Sequence, residues 1–200
     1  MSGVSGADAP SVADAHSGTK YRTIVADPPW RMPSGGPRGG TRIWNPGVPS
    51  DLPYGTMGLD EIAALPVESL AAADAHLYLW TTNATMEASY DIVRGWGFRP
   101  SQLLVWAKAP RGIGMGGAFT TTTEFVLFCR RGSLPHVEKQ ETSWWNWKRG
   151  KHSAKPDAFL DVVETVSPGP YVELFARRAR FGWDYWGNES LGTASMEAAA

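Results

Sequence analysis

Cysteine is nearly absent: Cys129 stands alone in 200 residues, and the four histidines are scattered. That excludes a disulfide framework and leaves no Cys/His spacing of the kind that holds a metal, so a metal-free protein of a reducing compartment, the cytoplasm, is expected. Long hydrophobic runs are missing too, since none approaches the roughly 18 to 20 apolar residues of a membrane span. The amino terminus lacks the charged segment and apolar stretch of a secretion signal. There is no excess of one charge: 19 basic against 20 acidic residues leave a net charge of -1. A basic field over the whole chain, the usual footprint of a phosphate binder, is therefore excluded. The cations do bunch locally, at Arg130-Arg131, at Lys148-Arg149-Lys151 and at Arg177-Arg178-Arg180.

What is there is enough apolar residue, 42%, to bury one core, and the length points to a single domain. Residues 1–19 and 190–200 are small and polar and read as tails around a domain at 20–189, because they have too little apolar surface to offset ordering entropy. Short apolar runs recur at Thr23–Ala26, His76–Trp80, Leu103–Ala107, Glu124–Cys129, Tyr171–Ala176 and Trp183–Trp186. They read as buried strands. Helical spacing appears over Ala84–Trp96 and over Pro156–Val166, where Phe159, Val162, Val163 and Val166 make one apolar face, Pro156 suits the first turn and Ser167-Pro168-Gly169 stops the helix. Strands alternating with helices predict an α/β fold with a mostly parallel sheet. Residues 31–53, 110–121 and 132–152 fit neither period, and loops of that length usually carry function.

The first strand runs into Asp27-Pro28-Pro29-Trp30. In a doubly wound sheet, ligands bind beyond the carboxyl ends of strands, which places this tetrapeptide at the reaction site. Two prolines have fixed φ and no N–H, so beside the Asp27 carboxylate the segment is rigid and rich in acceptors. An amine conjugated to a heterocycle is a poor nucleophile. Accepting its two hydrogens, on Asp27 and on the Pro28 carbonyl, would localise its lone pair, and Trp30 would stack on the base. A proline-stiffened turn with Asp as a helix cap is the bland alternative; the buried-type strand before it and the Trp after it favour chemistry.

Several motifs occur in a fixed order: Asp27-Pro28-Pro29-Trp30, Leu52-Pro53-Tyr54-Gly55-Thr56-Met57 with Asp60-Glu61-Ile62, Leu77-Tyr78-Leu79-Trp80, and His152-Ser153-Ala154-Lys155-Pro156. Together they resemble the MT-A-type adenine N(6)-methyltransferases over about Tyr21 to Glu189. The resemblance implies a Rossmann-like methyltransferase fold in which the catalytic strand precedes the cofactor-binding strand. It also implies S-adenosylmethionine as cofactor and the exocyclic amine of adenine in nucleic acid as acceptor, DNA favoured over RNA. Lys155 would meet the cofactor carboxylate, helped by Ser153. Position alone agrees, because Lys155 stands before the helix opening at Pro156 and a helix amino terminus favours an anion. Glu173, Arg177, Asn188 and Glu189 would lie around the nucleoside half, near Asp27. The stretch Arg178–Arg180 has neither the His nor the Asn of the messenger-RNA enzyme, so ribose recognition is expected to differ in detail.

For the substrate, Tyr54, Trp80, Trp106 and Lys108 flank the expected pocket, with a core role the alternative for Trp80. Glu124 reads as an anchor of the loop before it. Ten tryptophans are a large excess, and Trp144, Trp145, Lys148 and Arg149 interleave rings with cations, as suits stacking on a flipped base while cations meet phosphate. An inactive nucleic-acid-binding paralogue would have no need of acceptors aimed at an amine. Enzymes acting on amides more often resemble Asn-Pro-Pro-Tyr at this place.

Overall fold

The structure, a computed structural model, describes residues 18–31, 55–109, 118–150 and 154–186. Residues 1–17 of the first expected tail, all of the second, Tyr54, Ser153, Asn188, Glu189 and most of two expected loops lie outside the described residues. The strands are β1 (Tyr21–Ala26), β2 (Ala71–Thr81), β3 (Arg99–Ala107), β4 (Thr123–Arg131), β5 (Trp144–Trp145), β6 (Tyr171–Leu174) and β7 (Trp183–Trp186). The helices are α1 (Leu59–Ala63), α2 (Val67–Leu70), α3 (Met86–Gly95) and α4 (Asp157–Val166). One sheet runs in the order β5-β3-β4-β2-β1-β6-β7. Its neighbours pair in parallel except at β4, which is antiparallel to both β2 and β3.

Alternation along β1 divides the core. Ile24 and Ala26 face a layer with Ile62 of α1, Val67 and Leu70 of α2, and Ile92 and Val93 of α3. Val25 faces the other layer with Tyr78, Trp80, Leu104, Trp106 and the apolar face of α4, Phe159, Leu160 and Val163. Each fully buried aliphatic side chain contributes about 1.5 to 3 kcal/mol through burial, so the central strands are fixed from both sides. A buried polar chain ties α4 to the sheet. The Leu134 carbonyl can only accept, so His76 donates to it from Nε2 (3.1 Å) and accepts at Nδ1 from the Ser167 hydroxyl (2.7 Å), which accepts in turn from Tyr78 Oη (2.7 Å).

The mixed α/β sheet agrees with the fold expected. β5 was not expected: it lies within the stretch 132–152, assigned to loop, and pairs with Val105 and Trp106 of β3. Two residues show no period, so only the tertiary ladder defines such a strand.

Candidate active site

β1 lies between β2 and β6, parallel to both, and its carboxyl end delivers Asp27 to the middle of the sheet edge. The Asp27 amide donates the last ladder bond, to the Leu174 carbonyl (3.3 Å). Pro28 and Pro29 then cannot extend the ladder, since neither has an N–H. The chain is held all the same. Trp30 N–H donates to the Pro28 carbonyl (2.8 Å), Met57 N–H to the Pro29 carbonyl (2.9 Å) and Arg31 N–H to the Met57 carbonyl (3.0 Å). Both proline carbonyls thus already accept one backbone bond, and each keeps one lone pair.

The ring of Trp30, expected as a stacking surface, is 7% exposed, packed in the core, with its indole N–H donated to the Trp80 carbonyl (3.0 Å). A side chain so enclosed anchors the turn and presents no open face. Trp80 is 2% exposed and stands edge-on to Phe159 and Trp106. Trp106 is buried as well, and its indole donates to the Trp147 carbonyl (3.0 Å). These two rings form the apolar floor under the carboxyl edge.

Over that floor lies a charge network. Lys155 Nζ donates to both oxygens of Asp27, at 2.7 and 2.8 Å, and lies 3.3 Å from Glu124 Oε2. It also stands 5.1 Å from the centre of the Trp80 ring. Lys108 pairs with the other oxygen of Glu124 and lies 5.0 Å from the Trp106 ring. Burial alone would pull Lys155 down, but Asp27 and then Glu124 outweigh it and hold the ammonium above the usual lysine range. For Glu124, burial pushes up, yet Lys155 and Lys108 outweigh it and hold the carboxyl below its ordinary range. Glu173 on β6 has no such partner close enough to win: burial first, then the charge of Asp27, push it up to about 7.

Glu124 is the site residue that the sequence underrated. The signal was present, an acidic residue two positions into a strand after a Thr run, but a loop anchor and a site carboxylate look alike until β4 is known to run antiparallel and bring its start to the same edge as Asp27. Beside Glu173, Phe175 takes φ of 66°, in the left-handed region that a bulky residue rarely adopts. Such conformations cluster where surrounding structure overrides local preference, functional edges among them. Arg177 is exposed two residues further on. Trp144 is 59% exposed, Trp145 stacks on Trp147 with centroids 5.0 Å apart, Lys148 is exposed and Arg149 half-buried. Among the described residues no three His, Cys, Asp or Glu cluster as a metal site. No helix there is long and apolar enough to cross a membrane.

A carboxylate fixed at a strand end, on an apolar floor and beside a paired ammonium, is an acceptor preorganised for an N–H donor, the arrangement of an α/β methyltransferase. A family model described as MT-A70 matches residues 21–189, and the chain belongs to the MT-A70 methyltransferase family. It is 34% identical to the Type II methyltransferase M.MunI of Mycoplasma sp, over 85% of this chain and 78% of that protein. It is 30% identical to a putative N(6)-adenosine-methyltransferase MT-A70-like protein of Medicago truncatula, over 89% of this chain. It is 29% identical to the human N(6)-adenosine-methyltransferase catalytic subunit METTL3, over 86% of this chain. Of the last two proteins it spans 28% and 29% of the length.

Proposed function

We propose that this chain transfers a methyl group from S-adenosylmethionine to the exocyclic amine of adenine in DNA, giving N(6)-methyladenine. The observation that carries the reading is Asp27 at the end of β1, held at both oxygens by Lys155 over the Trp80 ring. Asp27 accepts one hydrogen of the amine, and the remaining lone pair of the Pro28 carbonyl accepts the other, which frees the nitrogen lone pair for attack. One N–H becomes N–CH3 as the methyl–sulfur bond breaks with its electron pair kept on sulfur, which leaves as the neutral thioether, and the released proton leaves by way of the Asp27 carboxylate. Glu124 and Lys108 hold Lys155 in place, and the buried rings of Trp80 and Trp106 keep water from beneath the reacting atoms.

The donor set suits the cofactor. Bound S-adenosylmethionine supplies a methyl group on a cationic sulfur. Lys155 before α4 meets its carboxylate, sharing the ammonium with Asp27, while Ser153, Glu173, Arg177, Asn188 and Glu189 serve the remainder. Glu173 as a hydroxyl partner is consistent with its burial at this edge. Tyr54, Trp144, Trp145, Lys148 and Arg149 face the nucleic acid, while Lys108, expected there from the sequence, is nearly buried and paired with Glu124. DNA is favoured because the relative named as a Type II methyltransferase is matched over most of its own length. RNA is the second reading, supported by the relatives named N(6)-adenosine-methyltransferases. A cytoplasmic setting is proposed with it, in keeping with Cys129 as a free, buried thiol. Incubation with methyl-labelled cofactor and separate DNA and RNA pools, then nucleoside analysis, tests the acceptor. Label in N(6)-methyldeoxyadenosine is the expected result, label in RNA alone would move the acceptor to RNA, and label in neither would remove adenine.

A further inference from the structure

On the sheet face covered by α4, paired residues of β2, β4 and β3 form rows across the strands. His76 and Arg130 make the first row, Tyr78, Phe128 and Gln102 the second, Trp80, Val126 and Leu104 the third, and Glu124 with Trp106 the last. The last row is the site described above. The first two floor a cavity of about 570 Å³, walled by Val162 and Val166 of α4 and by the segment 136–143, with Trp145 at its edge. Its volume falls in the range of ligand pockets.

Three observations say what fits there. The cavity offers aromatic surface in the half-buried rings of Phe128 and Trp145, with the buried Tyr78 ring packed 5.0 Å from Phe128. Arg130 lines the cavity, and its Nη2 donates to the Leu134 carbonyl (2.9 Å), which fixes a cation at the wall. The rim mixes His136 and Lys139 with Glu138 and Glu141, so it offers no net attraction for a bare anion.

Distance supplies the rest. Tyr78 precedes Trp80 by two residues and Gln102 precedes Trp106 by four, which is about 7 and about 13 Å along the strands. At about 3.4 Å per nucleotide, that is two to four positions from the reacting base. The way from cavity to site runs past the Trp145 and Trp147 stack, whose Trp147 carbonyl holds the Trp106 indole.

We propose that this cavity is a second base site, taking a nucleotide of the substrate strand that flanks the target adenine, its ring against the half-buried rings of Phe128 and Trp145 and an acceptor on its edge turned to the Arg130 cation. The inference rests on the nucleic-acid reading above. Gln102 and Thr142 line the same cavity and supply the amide and hydroxyl that tell one base from another.

The test is fluorescence anisotropy on the full chain with short labelled oligodeoxynucleotides that carry one adenine, an abasic position being walked through four places on either side. One abasic position should weaken binding by on the order of tenfold, as loss of a stacked base does. The penalty should shrink several-fold in Trp145→Ala, which removes a ring of the stack, and the preference for one base at that position should be lost in Gln102→Leu, at an exposed position where folding is not at risk. Equal affinity at every position, or an undiminished penalty in Trp145→Ala, overturns the proposal. A positional penalty without any methylation of adenine would overturn the reading of the reaction and leave this site standing.

Discussion

In the proposed reaction Asp27 carries the chemistry through geometry that the chain imposes on it: a ladder bond behind it, two prolines after it and an ammonium on both its oxygens. Asp27→Ala should stay folded by circular dichroism and lose turnover by about 100-fold or more, the cost of removing a preorganised partner. Glu173 gives a second outcome at this scale. Its carboxyl is pushed up to about 7, so the folded state holds that proton more tightly than the unfolded chain. The corresponding stability is fully present below about pH 4.5 and is lost as pH rises through about 7. Glu173→Gln cannot titrate, so its stability in urea should decline less than wild type between pH 5 and 8, by about 1 to 3 kcal/mol. Parallel curves for the two proteins would contradict the burial of that carboxylate.

At the scale of elements, the proposed reading makes the arm carrying β5 the link between recognition and the site, since the Trp145 and Trp147 stack lies beside the ladder that holds β3. Trp147→Ala removes the stack but keeps the backbone carbonyl that holds the Trp106 indole. Nucleic-acid affinity should drop several-fold while cofactor affinity by calorimetry stays the same; equal losses in both would make the arm a general support. Ser167, at the end of α4, accepts from Tyr78 and donates to His76, so Ser167→Ala strands two buried polar groups and should cost about 1 to 3 kcal/mol in a denaturant melt. The six longer strands could be read from apolar runs because buried strands are continuous in hydrophobicity, and α4 from its period and its Pro and Ser-Pro-Gly boundaries. β5 and the roles of Trp30, Trp80 and Trp106 could not be read that way. An indole suits a core and a stacking platform equally well until its neighbours are known, and here Phe159 and the Trp80 carbonyl decide for the core. Asp27 and Lys155 were visible as separate motifs, 128 residues apart; that one holds the other is a property of the sheet order.

For the molecule as a whole, a net charge of -1 means that phosphate contact comes from few cations. Binding to DNA should therefore fall only gently with salt, with a slope of log affinity against log salt of about -2 to -4 in place of the steep dependence of a basic protein. The MT-A70 relationship covers residues 21–189, which include the Asp27 turn, the β4 start with Glu124 and the Lys155 segment, so one fold holds the acceptor and the ammonium in register. The most direct test of the account is mass spectrometry of deoxynucleosides from one adenine-containing DNA incubated with S-adenosylmethionine and either wild type or Asp27→Ala. N(6)-methyldeoxyadenosine from the wild type alone is the result expected; equal yields from the two proteins would contradict the role given to Asp27.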